Sequence, residues 1–316
     1  IAKKTTLISL LNKKIPKMKI LKKNLNKKFN KILNLFLISS TLLGAAIFPD
    51  EVKASTPDVC KDVFGAKDSS GKYSKNKNEI KSITYFCSDT PDRFEITIYE
   101  LGLCTGAPFS KSSTTFNRDS GNCVITMTSV GSTVDLANSI VSLPEMTGRP
   151  PSNNYQYAYV IIKNEFGLRG SIKIDDGIGG TSHYCSDSNG DSTSESSSCT
   201  ALNHTEELDN FGDDDDFSAF FPANGDNAAS MPGGGAVSAL LTKDNLTTAS
   251  VKTESTRLIG LFITDPTNKV SINNSTVGLE MQLQVSDIGY GIEFDSNTGE
   301  PVGFGSMPFK PIFTTF

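Results

Sequence analysis

The chain has 316 residues, of which 37% are apolar, 9% aromatic and 21% charged. This composition can fill one large or two ordinary globular domains, and it excludes collagen, coiled coils and wholesale disorder. Residues 1–54 hold 12 of the 30 basic side chains, so the remainder, with 18 basic and 33 acidic groups, has a net charge of −15. Such an acidic surface repels phosphate backbones and anionic headgroups, which argues against binding to nucleic acid or to membrane surfaces.

The amino-terminal segment has the pattern of an export signal. Seven lysines between positions 17 and 31 precede the apolar run 32–48, and a V-x-A tripeptide ends at Ala54. This order predicts a signal peptide in residues 18–54, with residues 1–17 interpreted as an extension of the reading frame. The alternative is an uncleaved membrane anchor, for which the apolar run is short. We expect a protein secreted to the bacterial cell surface, without a membrane span once the leader is removed.

All the cysteines lie beyond this leader, and their number is even. Six cysteines in an exported chain indicate disulfides, although 15 pairings are possible. Because each pair would close a short loop around turn-forming residues, we predict the sequential set: Cys60 with Cys87, Cys104 with Cys123, and Cys185 with Cys199. Each closure is worth roughly 3 kcal/mol by loop entropy. A metal cluster is the weaker alternative, since the chain has no C-x-x-C pair.

Short strands are predicted through the first half of the mature chain. Apolar and polar residues alternate at 94–99, and similar runs occur at 123–129, 155–163 and 168–174. Alternation with period two is typical of half-buried strands. We assign these runs to an amino-terminal β region over residues 55–176.

The next segment has a different composition. Residues 177–235 are rich in Gly, Ser, Asp and Asn, a mixture that buries little apolar area. We interpret them as a long acidic, solvated loop that precedes a carboxy-terminal β region over residues 236–316. Helix is expected only at 134–143 and 201–208.

Strand signals return after this loop. Residues 257–264 form a nearly continuous apolar run, as in a central strand, and residues 277–285 alternate over their whole length. A further strand begins at Tyr290 and is followed by the turn-forming residues 295–299. Many short strands with regular turns predict an all-β fold, an antiparallel β-sandwich of jelly-roll type, stapled by disulfides. Whether the chain forms one sandwich or two is left open.

Catalytic motifs are scarce in this sequence. The only histidines, His183 and His204, fall in the acidic loop, and no G-x-S-x-G motif occurs. A pair of carboxylates could serve a hydrolase, but no pair stands out among the acids. We therefore expect a protein that is not an enzyme and that needs no cofactor.

Calcium is the one ligand that the acidic residues suggest. Asp187, Asn189 and Asp191 have the spacing of the first three oxygen ligands of a calcium loop, but Ser192 and Ser198 replace its glycine and its bidentate glutamate. A second acidic cluster follows, consisting of Asp213, Asp214, Asp215 and Asp216. The alternative interpretation is a solvated acidic surface without bound metal.

The carboxy-terminal tail is apolar on both faces. The residues expected to form assembly contacts are Phe309, Ile312, Phe313 and Phe316. An apolar terminal strand is either packed into its own sandwich or exchanged between subunits by strand addition. The second possibility predicts a homo-oligomer or self-polymer through β-edge contacts.

Three alternating tyrosines suggest a surface for a glycan or another cell-surface ligand. Tyr155, Tyr157 and Tyr159 share one strand face, where either a binding surface or a half-buried core is compatible with the pattern.

Three segments carry a resemblance to known sequences: YELGLCTGAP at 99–108, GSTVDLA at 131–137 and YAYVIIKNEFGLRGSI at 157–172. Residues 85–185 resemble a group of uncharacterised exported proteins of small-genome marine bacteria, which implies a structural role at the cell surface. Gly303 is similar in position to a glycine of chaperone-assembled pilins, whereas Thr315 stands where those subunits carry an aromatic residue.

These observations favour a secreted structural or adhesive surface protein, such as the self-assembling subunit of an extracellular filament. A calcium- or glycan-binding module and a secreted carboxylate-dependent hydrolase are the alternatives.

Overall fold

The computed structural model describes residues 58–137, 148–209, 217–222, 228–231, 235–264 and 269–316. The predicted leader and the acidic cluster Asp213 to Asp216 lie outside the described residues. Within them the protein is mostly β, which confirms the all-β prediction. The jelly-roll connectivity stays a prediction.

The elements of the amino-terminal region are two short helices and the first nine strands. The helices are α1 (Cys60–Phe64) and α2 (Lys77–Ile80). The strands are β1 (Lys72–Asn76), β2 (Phe86–Asp89), β3 (Arg93–Cys104), β4 (Cys123–Asp135), β5 (Asn153–Tyr155), β6 (Tyr157–Lys163), β7 (Phe166–Arg169), β8 (Ser171–Asp175) and β9 (Thr181–Cys185).

Ten further strands and one 3₁₀ turn (Lys252–Glu254) follow. The strands are β10 (His204–Glu206), β11 (Phe220–Phe221), β12 (Ala229–Ser230), β13 (Ala236–Thr242), β14 (Arg257–Ile263), β15 (Val270–Ile272), β16 (Leu279–Gln284), β17 (Tyr290–Phe294), β18 (Pro301–Ser306) and β19 (Lys310–Thr315).

The main sheet is built around the apolar run predicted as a central strand. That run is β14, which lies between β6 and β13 in antiparallel register, and its five inner residues are all buried. A strand buried on both faces needs apolar side chains at every position, which explains the unbroken run. β3 continues the sheet from β6, and β4 pairs along the other side of β3.

Smaller sheets cover one face of this main sheet. One contains β2, β17 and β18, and another contains β1, β8 and β9. Side chains of both pack with those of β3 and β6 in a single hydrophobic cluster, which includes Phe94, Ile162, Ile174 and Ile292. The opposite face of the main sheet is covered by Phe109 and other aromatic residues of the connecting loops. Two layers of sheet around a shared core give a sandwich-like arrangement.

The two predicted β regions belong to one unit. β2, near the start of the described chain, pairs with β17, and β6 pairs with β14. Strands from residues 55–176 and 236–316 are therefore hydrogen-bonded to one another within the same sheets.

The interpretation of residues 177–235 as a solvated loop is wrong where the structure shows strands, since β9 to β12 all lie in this segment and His204, Phe220 and Met231 are buried. β9 lies in this segment, and Ser182, Tyr184 and Cys185 are buried there. The serine-rich composition of the segment gives no strand signal here. The strand forms because β8 supplies its hydrogen-bond partners.

Both predicted helices are also wrong where they are described. Val134 and Asp135 complete β4, and His204–Glu206 form β10, which pairs with β7. Helix propensity is a weak preference that a neighbouring strand readily overrides. Among the described residues, no helix has the length and hydrophobicity needed to cross a membrane.

Candidate functional site

The two-stranded ribbon of β16 and β19 lies at the carboxy-terminal end of the described chain. It is the segment with the cleanest alternation in the sequence, and Leu279, Met281 and Leu283 are half-buried while Glu280 and Gln282 are exposed. Met281 and Leu283 pack against the main core, and Leu279 packs with Phe313 against a second cluster. The inner face of the ribbon is therefore fixed to the body of the protein.

The hydrogen-bond register decides which backbone groups of β16 point outward. Gly278 and Phe316 exchange both backbone hydrogen bonds, at N···O distances of 2.9 and 3.2 Å. Bonded and non-bonded pairs alternate along an antiparallel ladder. Leu279, Met281 and Leu283 consequently direct their N–H and C=O groups away from β19. No other strand of the described residues pairs with β16, so these groups form an open edge.

The other edge of the ribbon is interrupted. Pro311 lies opposite Leu283, at a position that is not hydrogen-bonded to β16. The proline therefore removes no hydrogen bond between β16 and β19. Its missing N–H instead leaves the outer edge of β19 with one donor fewer. The ribbon has one edge that can accept another strand, and this edge belongs to β16.

The four predicted assembly residues separate into two groups. Phe309 is only 5% exposed and packs between Phe94 and Phe262, so it is a core residue and its assignment to an assembly surface is wrong. Phe313 is half-buried on the inner face of the ribbon. Ile312 and Phe316 are exposed, at 38% and 64%.

The predicted calcium loop is organised by its own backbone. One oxygen of the Asp187 carboxylate accepts hydrogen bonds from the amides of Asn189 and Asp191, at 2.7 and 3.0 Å. Gly190 has a φ of +82°, and a Cβ there would lie 3.0 Å from the carbonyl oxygen of Phe304. The loop is thereby held against β18, and the residues with calcium-like spacing form a tight turn. Calcium binding at this turn stays a prediction.

The tyrosine face predicted for ligand binding is largely internal. Tyr155 and Tyr159 are each 2% exposed, and the hydroxyl of Tyr159 donates to Glu100 at 2.6 Å. Glu100 also accepts two hydrogen bonds from the Arg118 guanidinium. Of the three tyrosines only Tyr157 is partly exposed, so the core interpretation holds for the other two.

Two polar residues with shifted pKa values lie on β10, the buried His204 and the partly buried Glu206. Burial lowers the pKa of His204, and burial also raises the pKa of the Glu206 carboxyl to about 7, an effect that the hydrogen bond from the Ser306 amide opposes. Ser306, with Met307 and Phe309, also lines a cavity of about 100 Å³ against β6 and β14. The cavity walls are otherwise apolar, so this region offers few groups to orient a polar ligand.

The six cysteines form the three predicted disulfides. Cys60 is bonded to Cys87, Cys104 to Cys123 and Cys185 to Cys199, with S–S distances of 2.02, 2.00 and 2.01 Å. His183, Cys185 and Cys199 are the only group of three metal-type side chains found among the described residues, and both of its cysteines are engaged in a disulfide.

Comparison with known proteins gives no relatives: no family model matches the chain, and no curated protein or solved structure is similar to it. The features that bear on function are those of the chain itself. Foremost among them is the open edge of β16, which the sequence reasoning missed by concentrating on the tail. The alternation at 277–285 was the available signal, since it marks a strand with one solvated face.

Proposed function

We propose that the protein is a secreted structural or adhesive protein of the bacterial cell surface that associates with copies of itself through the open edge of β16. The observation that carries this proposal is the set of outward N–H and C=O groups on Leu279, Met281 and Leu283. A strand edge of this kind is a template for another strand. Three disulfides support a location outside the cytoplasm.

The edge is self-complementary in antiparallel register. With Met281 opposite Met281 of a second copy, Leu279 faces Leu283 and Glu280 faces Gln282. This register exchanges backbone hydrogen bonds at the three outward positions and brings no like charges directly opposite each other. Natural edge strands that avoid pairing usually carry Lys or Pro, and β16 has neither.

Such a contact relates the two copies by a two-fold axis and closes as a dimer. A filament needs a second, different contact that continues from the dimer. Dimerisation through β16 is thus the first step of any larger assembly, and it can be tested alone.

The proposed register of the dimer predicts opposite effects on association for two substitutions of Gln282, which is exposed. Gln282→Glu places like charges opposite each other twice in the dimer, whereas Gln282→Lys places Lys opposite Glu280 of the second copy twice. We expect dimerisation about fivefold weaker in the first variant and about fivefold tighter in the second, because charged cross-strand pairs contribute up to about 1 kcal/mol each. Sedimentation equilibrium of the purified chain measures both, and electron microscopy of concentrated material detects polymers.

Gln156 provides the matched control, since it is exposed and lies outside the ribbon. Gln156→Glu and Gln156→Lys change the net charge in the same way and should leave association unchanged. The proposal is wrong if the unmodified chain is monomeric at the highest attainable concentration, or if the two Gln282 variants shift association in the same direction.

A further inference from the structure

The three disulfides differ in their surroundings. Both cysteines of the Cys60–Cys87 pair are fully buried. Each of the other two pairs joins a fully buried cysteine to a partly exposed one. Cys104 is buried and Cys123 is partly exposed, and likewise Cys185 is buried and Cys199 is partly exposed. Access to one sulfur atom is a condition for attack by a thiol, so only these two pairs are open to exchange.

A histidine distinguishes the Cys185–Cys199 pair from the other. His183 precedes Cys185 by two residues on β9, so both side chains lie on one face of the strand. The Nε2 atom of His183 lies 3.6 Å from the Sγ atom of Cys185. The Cys104–Cys123 pair has no histidine near it, since the chain contains only His183 and His204, and His204 lies on β10 in contact with Tyr290.

The backbone fixes the protonation of this histidine. The amide N–H of Cys199 donates a hydrogen bond to Nδ1 of His183 at 3.2 Å. Nδ1 is therefore unprotonated, and the hydrogen of the neutral ring is on Nε2, directed at Cys185. Burial lowers the pKa of His183, which keeps the ring in this neutral form near neutral pH.

From this geometry we propose that the Cys185–Cys199 disulfide is a thiol-exchange site, at which a low-molecular-weight thiol becomes attached to Cys199 and Cys185 is released. The partly exposed Cys199 is the sulfur that an incoming thiolate can reach. The buried Cys185 is the sulfur that leaves, and His183 is the group that stabilises it.

The step is balanced without an additional oxidant or reductant. The thiolate attacks Sγ of Cys199 and forms a new S–S bond, while the electron pair of the old bond passes to Sγ of Cys185. One anionic sulfur enters and one leaves. The departing thiolate accepts the hydrogen bond from Nε2–H of His183, and a leaving group stabilised in this way departs faster.

Competition among the three disulfides of one molecule tests the proposal. The oxidised chain is incubated with reduced glutathione, quenched by alkylation and analysed by peptide mass spectrometry at several times. We expect Cys185–Cys199 to open about tenfold faster than Cys104–Cys123, since a hydrogen bond to a charged group is worth at least that factor. Cys60–Cys87 should be the slowest. Glutathione should appear on Cys199 and not on Cys185.

Two variants separate the effect of the hydrogen bond from that of local packing. His183→Phe removes the donor and should slow opening of Cys185–Cys199 to the rate of Cys104–Cys123. His183→Gln keeps an N–H donor on a side chain of similar reach and should retain part of the advantage. The rate at Cys104–Cys123 reports in every sample whether the fold is intact.

Three results would overturn the proposal. They are equal rates for the two half-exposed disulfides, glutathione attached to Cys185, and a His183→Phe variant that opens Cys185–Cys199 as fast as the unmodified chain while Cys104–Cys123 is unaffected.

Discussion

Gly102 illustrates how a single residue limits the packing of the main sheet. A Cβ at this position of β3 would lie 2.3 Å from Cε1 of Tyr159 on the neighbouring strand. Tyr159 cannot move aside easily, because it is buried and its hydroxyl is bonded to Glu100. The glycine is required by close side-chain approach and not by its backbone conformation.

We therefore expect Gly102→Ala to lower the free energy of unfolding by about 3 kcal/mol, as in other overpacked cores. Gly106→Ala is the matched control, because the nearest atoms to a Cβ there lie 3.8 Å away. Urea unfolding of the two variants measures the difference. Equal stability of both would show that the sheet can shift to admit the methyl group.

Glu206 is a second single residue with a measurable effect, because it makes the stability of the protein depend on pH. The pKa of its carboxyl in the folded protein, about 7, lies above the ordinary glutamate pKa of 4.5. At a pH between these two pKa values, Glu206 keeps its proton in the folded protein but has lost it in the unfolded chain. The protein therefore becomes less stable as the pH rises from 4.5 to about 7.

Glu206→Gln should remove that loss, because the neutral amide can still accept the hydrogen bond from Ser306. We expect the variant to match the unmodified chain near pH 4 and to be more stable by about 2 kcal/mol near pH 8. Urea unfolding across this range is the measurement. A stability difference that does not change with pH would contradict the assignment.

At the scale of elements, the loop after β9 shows that one spacing of acidic residues suits both a metal site and a tight turn. Asp187, Asn189 and Asp191 alternate as calcium ligands do, but the same alternation suits a carboxylate that caps two amides of a tight turn. Sequence spacing does not reveal which oxygen is already occupied by a backbone donor.

We expect Asp187→Ala to lower stability by about 1 to 2 kcal/mol through loss of these hydrogen bonds, equally with and without a chelator. Asp187→Asn keeps the accepting oxygen and should retain most of the stability. Thermal unfolding with added calcium or chelator measures both variants. A melting temperature that falls with chelator in the unmodified chain, but not in Asp187→Asn, would identify calcium as a ligand of this loop.

The sequence predicts correctly those elements whose own side-chain pattern is sufficient to identify them. The apolar run of β14 and the alternation of β16 identify both strands, and the short loops between cysteines identify the disulfides. β9 and β10 were missed because their hydrogen-bond partners lie on β8 and β7, and because β9 lies in a segment rich in Gly and Ser while β10 lies in one compatible with helix. The alternation of β16 indicates a strand with one solvated face, but whether its edge is open depends on which strands pair with it, and this follows only from the sheet order.

For the molecule as a whole, the sheet order predicts a gradient of local stability. β6 and β14 have a strand on each side and are almost fully buried, whereas the ribbon of β16 and β19 has only its own two strands. Opening the ribbon exposes little of the core, while opening β14 requires loss of the main sheet.

We expect amide hydrogen exchange to be slowest in β6 and β14 and faster in the ribbon by about two orders of magnitude or more. Within β16 the outward amides of Leu279, Met281 and Leu283 should exchange fastest in dilute solution. Their protection should increase with protein concentration if the edge is the contact between copies. Uniform protection across all strands would contradict this gradient.

The pairing of β2 with β17 has a consequence for how the chain reaches its folded state. A polypeptide that emerges from its amino terminus, whether from a ribosome or through a translocation channel, cannot complete this sheet until residues beyond 290 have appeared. Contacts between such distant positions form slowly, because a long loop has to close before they contribute. β2 is thus made early but gains its neighbouring strand late, so the synthesis of β17 decides when this amino-terminal strand is incorporated into its sheet.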